Sequence, residues 1–332
     1  LRQDASPAAG DADGPYTAQA REDIPVAQVT APRPEWLKIR FVQGENFKQL
    51  KHLMRDLSLH TVCEEARCPN IYECWEHRAA TFMILGDICT RRCAYCAVTT
   101  GRPTGLDWTE PDRVAQAVAH MGLRHAVVTS VNRDDQPDGG AAIFAATIRR
   151  IRARNPECTV EVLIPDLMGV WWALDLILAA QPEILNHNIE TVPRLFPRVR
   201  PRGSYARSLE LLRRAGAHPA AQAGRMLTKS GLIVGMGETR EEVSTVLRDL
   251  RAAGVSIVTV GQYLRPTLTA RHIPIDRYYT PEEFAEIRAE ALALGFRHAE
   301  CGPLVRSSYH AWEQARQARE GVDADTTTPA AR

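Results

Sequence analysis

Six times between residues 81 and 295 a short apolar run gives way to an amphipathic helical pattern, and few architectures accept that alternation. The runs are TFMILGDI (81–88), HAVVTSV (125–131), TVEVLIPD (159–166), EILNHNIET (183–191), LTKSGLIVGM (227–236) and IVTVGQYL (257–264). Helical patterns follow at 110–122, 141–155, around 170–180, around 204–215, 239–254 and 281–295. In the first of these, Val114, Ala117, Val118 and Met121 recur at helical spacing. Strands apolar on both faces and separated by helices imply a parallel sheet with helices packed outside it. Six such units suit an α/β fold of incomplete (β/α)6 barrel type, with an open doubly wound sheet as second choice. In either case a ligand site forms at the carboxyl ends of the strands. The polar stretches TSVNRDD, HNIET, KSG, GMGE and QYLRPT are expected there, converging on the loop after the first strand. No fixed-period internal repeat accompanies the βα rhythm.

That loop carries chemistry. Of eight cysteines, six lie between residues 63 and 96, while Cys158 and Cys301 stand apart and read as small buried hydrophobes. Six cysteines in so short a stretch of a large chain point to metal or catalysis rather than to disulfides. Cys89-Thr-Arg-Arg-Cys93-Ala-Tyr-Cys96 is a C-x3-C-x2-C array. Three thiolates are too few for a closed zinc site, but on an iron–sulfur cubane they leave one iron open for another ligand. A second triplet, Cys63, Cys68 and Cys74, is spaced C-x4-C-x5-C ahead of the first strand. It cannot share the first cluster, so a second one is the economical reading.

The first array resembles the signature of the radical S-adenosylmethionine (SAM) superfamily. VCEEARCPNIYECW together with GDICTRRCAYC resembles, more narrowly, the lipoyl synthase family. TSVNRDDQPDGG, HNIETVPRLF, LTKSGLIVGMGET, QYLRPT and GPLVRSSYHAW match it as well, so the likeness spans roughly residues 35–317. One departure is the stretch AHPAAQAGRMLTKSG (217–231), longer than the family pattern.

The resemblance implies a partial barrel of the radical SAM type with terminal extensions, and a sulfurtransferase that inserts two sulfur atoms at C6 and C8 of a protein-bound octanoyl-lysine. Those carbons are unactivated, so a cofactor-derived radical rather than a side-chain base must remove hydrogen. By the resemblance, Cys89, Cys93 and Cys96 hold the 4Fe–4S cluster that cleaves SAM. Cys63, Cys68 and Cys74 hold an auxiliary 4Fe–4S cluster that donates sulfur, and two SAM are consumed per product. The family pattern supplies a serine of RSSY as the auxiliary cluster's fourth ligand, which aligns with Ser308. An alkoxide is a harder and poorer partner for iron than thiolate, and could release its iron as the cluster is dismantled. Tyr95, Ser130, Asn188, Glu190 and Lys229 are expected to contact SAM. Expected partners are octanoylated lipoyl carrier domains (2-oxoacid dehydrogenase E2, glycine cleavage H protein), a low-potential donor such as ferredoxin or flavodoxin, and an iron–sulfur cluster carrier.

Charge and hydropathy exclude other classes. The 41 Lys and Arg balance 40 Asp and Glu, a net charge of +1, which does not suit general binding to nucleic acid or to a membrane surface. No apolar run is long enough for a membrane span. The opening stretch has no signal-peptide core and contains Asp4, Asp11 and Asp13, so a cytoplasmic location is expected. Residues 1–33 read as an arm, 34–80 as the auxiliary-cluster segment, 81–300 as the partial barrel and 301–332 as a C-terminal segment ending in a loose tail. The basic runs RRIRAR (149–154) and RLFPRVRPR (194–202) suit either a solvated face or docking of an acidic carrier. Rival readings are another sulfur-inserting radical enzyme of biotin-synthase type, or a two-cluster electron carrier.

Overall fold

Seven parallel strands follow one another in chain order: β2 (Thr81–Ile84), β3 (His125–Ser130), β4 (Thr159–Leu163), β5 (Ile184–Asn186), β6 (Leu227–Val234), β7 (Ile257–Gln262) and β8 (His298–Gly302). A two-residue strand, β1 (His60–Thr61), pairs antiparallel to β2 and completes an eight-stranded sheet. Among the described residues β1 and β8 do not pair with each other, so the wall stays open. The structure, a computed structural model, describes residues 32–39 and 44–320, with backbone alone for 319 and 320. The first 31 residues of the expected arm and the tail from 321 lie outside the described residues.

The six expected strand–helix units are all present. Their helices include α4 (Glu110–Met121), α5 (Ala141–Arg154), α6 (Trp171–Ala179), α8 (Tyr205–Ala217), α10 (Arg240–Ala252) and α11 (Pro281–Ala293). Each start and stop has a local cause. Pro111 sits in the first turn of α4, and Gly122 ends the helix in the left-handed region. Thr239 and Thr280 cap α10 and α11 in full capping boxes with Glu242 and Glu283. Strand interiors are buried on both faces, β2 and β7 at every residue.

Three features extend the expected pattern. β8 adds a seventh parallel strand whose sequence, HAECG, alternates polar residues and lacks an apolar run. The auxiliary-cluster segment folds into α1 (Glu45–Asp56), α2 (Val62–Glu65) and α3 (Ile71–Glu76), with Phe47 of α1 stacked on Tyr72 and tilted against Trp75 of α3. The long stretch after α8 forms a short helix, α9 (Pro219–Gln222), before the amino end of β6 and therefore away from the carboxyl ends of the strands. Below the sheet, Ala315 and Ala318 of α12 (Ala311–Glu320) pack on Ile184, Leu227 and Ile257, the first residues of β5, β6 and β7. Helix α12 thus floors the barrel, and the opposite end is left for the site.

Candidate active site

A cavity of about 470 Å³ opens at the carboxyl ends of the strands, lined by Cys89, Cys93 and Cys96 and by Cys63 and Cys68. Cys89, Cys93 and Cys96 leave β2 on one loop. The Cys89 sulfur accepts the backbone N–H of Arg91 (3.4 Å) and of Asn132 (3.3 Å), with the Asn132 amide at 3.7 Å. The loop itself is clamped. Arg91, buried within it, donates to Asp134 (2.8 Å) and to Asp166 (2.5 Å), and Arg207 reaches the other Asp166 oxygen at 3.3 Å. His272 Nε2 donates to the Cys96 carbonyl at 2.9 Å. Burial pushes the Cys93 thiol up to about 11 and that of Cys96 to about 12. Neutral thiols of this kind become thiolates when a metal takes the place of their protons.

The second triplet lies on the other side of the cavity, held there by the C-terminal segment. Cys63 sits in α2, Cys68 follows the turn at Arg67, and Cys74 sits in α3. Cys63 and Cys68 line the cavity, and Cys74 is close enough for both to raise its pKa in addition to the effect of burial. Asn70 donates to the Leu304 carbonyl (2.7 Å), Thr81 Oγ1 to Ser308 Oγ (2.8 Å) and Tyr309 OH to Glu73 (3.1 Å). Gly261 of β7 makes this approach possible, because a Cβ there would overlap the Val305 carbonyl. Ser307 and Ser308 both line the cavity, more than 230 residues along the chain from Cys68.

Four of the five expected SAM contacts face the same space. Tyr95, Ser130, Asn188 and Glu190 line the cavity. Burial raises the Glu190 carboxyl, against the pull of Arg200 and hydrogen bonds from Asn188 and Tyr95. Gly231 leaves room for Asn188, whose Oδ1 would lie 2.6 Å from a Cβ at that position.

Lys229 is the exception. The KSG stretch lies near the amino end of the eight-residue β6, not at its tip, and Lys229 does not line the cavity. Its side chain is fully buried within the barrel, with Nζ 3.0 Å from Glu161 Oε1, and Asn186 donates to the same carboxylate at 3.0 Å. Burial alone would raise the Glu161 pKa, but Lys229 and His125 outweigh it and hold the carboxyl at about 2. Lys229 therefore belongs to a charge pair inside the barrel.

The basic runs also divide. Arg152 of α5 binds the carbonyls of Ala180 and Gln181 and the Glu183 carboxylate, just before β5 begins. The 149–154 run is consequently at the floor end, remote from the cavity. In the other run Arg194 pairs with Glu242, and Arg200 is buried, donates to the Asn188 carbonyl at 2.9 Å and lines the cavity. Arg91 and Asn132 carry no role in the sequence reading, while Arg200 appears there only within a basic run and Arg306 only within RSSY. Each sits beside a cysteine or a strand end, a signal that residue type alone does not carry.

The donor set fits two iron–sulfur clusters and a polar cofactor. Among the described residues no three His, Cys, Asp or Glu side chains converge tightly enough for a single metal ion. In a cubane each iron takes its own thiolate, so the thiols stand apart. Ser130 Oγ, Asn188 Oδ1 and Asn132 Oδ1 are buried without a hydrogen-bond partner, acceptors and a hydroxyl that a bound polar ligand would satisfy.

Comparison with known proteins agrees with this geometry. Residues 83–262 match the model of the radical SAM superfamily, and residues 10–68 match the N-terminal domain of lipoyl synthase of the radical SAM family. A lipoyl synthase of Rubrobacter xylanophilus is 59% identical over 87% of this chain and 88% of its own length. That of Symbiobacterium thermophilum is 60% identical over 91% and 90%, and that of Chloroflexus aggregans 60% identical over 84% and 89%.

Proposed function

The chain belongs to the lipoyl synthase family of the radical SAM superfamily, and from that premise we propose how its own residues divide the reaction. It is a sulfur-inserting enzyme that uses SAM and 4Fe–4S clusters and acts on lipoyl-carrier protein. When bound, these groups supply a hydrogen-abstracting radical and the two sulfur atoms that C6 and C8 of the octanoyl chain receive.

Cys89, Cys93 and Cys96 hold the cluster that serves SAM, with the Arg91 clamp fixing their loop. Tyr95, Ser130, Asn188 and Glu190 line the SAM side, where Ser130 and Asn188 offer polar atoms without protein partners. Arg200, next to Glu190, Tyr95 and Cys93, keeps a positive charge beside that group. Cys63, Cys68, Cys74 and Ser308 hold the auxiliary cluster. Thr81, which donates to Ser308 Oγ, orients that oxygen. Arg306 places a half-buried cation beside Cys68. The apolar walls from Met83, Ile164 and Ile233 enclose the acyl chain and exclude water from the reacting carbons.

The observation that carries this reading is the convergence of Cys89, Cys93 and Cys96, of Cys63 and Cys68, and of the RSSY serines on one cavity. The test is anaerobic incubation with an octanoyl-lysine peptide, reductant and SAM, followed by mass spectrometry. Gain of two sulfur atoms by the peptide supports the reading, and an unchanged peptide with both clusters loaded overturns it. E2 and H protein carriers, a ferredoxin or flavodoxin donor and a cluster carrier for reloading complete the proposal. The eight free cysteines suit the reducing cytoplasm. No helix among the described residues is long and apolar enough to cross a membrane.

A further inference from the structure

Among the described residues the cavity wall contains six arginines and a single acid, Glu190. One of the six has its counter-charges in the wall, and two more lie beside other groups of the site. Arg91 is held by Asp134 and Asp166, Arg200 lies beside Glu190 and Cys93, and Arg306 lies beside Cys68. Arg33, Arg67 and Arg265 have no counter-charge among the described residues. Arg33 and Arg67 are exposed and form no ion pair among the described residues. Arg265 donates only to the backbone carbonyls of Leu268 and Thr269, at 3.3 and 3.0 Å. Leu268, on that same loop after β7, is 89% exposed.

These residues come from three separate parts of the chain: the segment before α1, the turn before Cys68 and the loop after β7. All three line this cavity, Arg33 and Arg67 from exposed positions and Arg265 from a half-buried one. The acyl chain enters it while still amide-linked to a protein, so the body of a protein must stand at the opening during turnover. We infer that Arg33, Arg67 and Arg265, with Leu268 as an apolar contact, form the docking lip for an acidic carrier domain. This rests on the lipoyl synthase reading. It replaces the two basic runs, one of which lies at the floor end while the other is partly consumed by internal pairs.

Unpaired cations around an opening attract a partner of opposite charge and fix its approach, and they act through rim electrostatics that salt screens. Arg91 and Arg200 cannot do this, because both are buried and their guanidinium groups are engaged within the wall by Asp134 and Asp166 and by the Asn188 carbonyl. The inference concerns where the carrier sits, not how the clusters work, so binding can be read apart from chemistry.

The test measures binding of an octanoylated glycine cleavage H protein to the two-cluster holoenzyme at low ionic strength. It is repeated for Arg33→Glu/Arg265→Glu and for that pair with Arg67→Glu, with iron and sulfide content checked in each. The double variant avoids the neighbour of Cys68 and keeps the test valid if the triple loses its auxiliary cluster. Kd is expected to rise roughly tenfold in the double variant, and the dependence of binding on salt to flatten. The ratio of kcat/KM on the H protein to kcat/KM on an octanoyl-lysine peptide should fall by a similar factor. Unchanged Kd with intact clusters overturns the lip, as does an equal loss on both substrates. Failure of the wild type to convert either substrate while still binding the H protein would count against the lipoyl synthase reading and leave the lip standing.

Discussion

Ser308 joins the two ends of the chain at one atom. Its Oγ accepts from Thr81, at the start of β2, and borders the cavity with Cys63 and Cys68. As the proposed hard oxygen ligand to a soft site, it would be the weakest link of the auxiliary group. Ser308→Ala is expected to lower iron retention at the second site and to cost most of the sulfur-insertion activity. Ser308→Cys should keep the cluster, yet turn over poorly because that iron leaves reluctantly. Ser307→Ala should be milder. Iron and sulfide analysis beside activity separates these outcomes, and loss in Ser307→Ala alone would move the ligand by one residue. His187 offers a different test. Burial, reinforced by the Arg200 guanidinium, lowers its pKa from 6.5 to about 3, and its ring bridges the Ile164 carbonyl (2.8 Å) and Ser208 (2.9 Å) as the neutral tautomer. Between those values the unfolded chain binds the extra proton, so stability rises with pH across the window and falls on acidification below about 6.5. The urea midpoint of the wild type should drop between about pH 7.5 and 5.5, and the drop should shrink in His187→Gln. An identical drop in both would show that His187 does not drive it.

At the scale of elements, the alternation of apolar runs and helical patterns was legible because parallel strands buried on both faces need continuous apolar sequence. β8 was not legible, since His298 and Glu300 interrupt its run at the edge of the sheet, where one neighbour suffices. The cysteine loop could be read from spacing, but its clamp could not. Arg91 meets Asp134 and Asp166 only after three strands have aligned their carboxyl ends. Lys229 shows the reverse case: a polar residue in an apolar strand suggests a strand tip, but it lies third in β6 and faces a buried carboxylate. That placement predicts a stability effect. Lys229→Met removes the fixed cation beside Glu161, leaving it only His125 and Asn186, and should cost about 3–5 kcal/mol, whereas pairing it with Glu161→Leu should recover much of the loss. Denaturant midpoints read this directly. A Lys229→Met protein of normal stability but impaired SAM binding would return the residue to the cofactor.

Across the whole molecule, the barrel brings together segments that the sequence keeps far apart. Helix α12 closes the floor, the segments around Cys63–Cys74 and Leu304–Tyr309 close one side of the cavity, and the Cys89–Cys96 loop closes the other. The account depends on the two triplets having different tasks inside that single space. The most direct measurement is an anaerobic assay that follows 5′-deoxyadenosine and sulfur-bearing product together in two triple variants. Cys63, Cys68 and Cys74→Ala should retain about half the iron, still form 5′-deoxyadenosine and insert no sulfur. Cys89, Cys93 and Cys96→Ala should retain the other half and form neither product. Sulfur insertion by the first variant, or cofactor cleavage at the wild-type rate by the second, would contradict the division of labour.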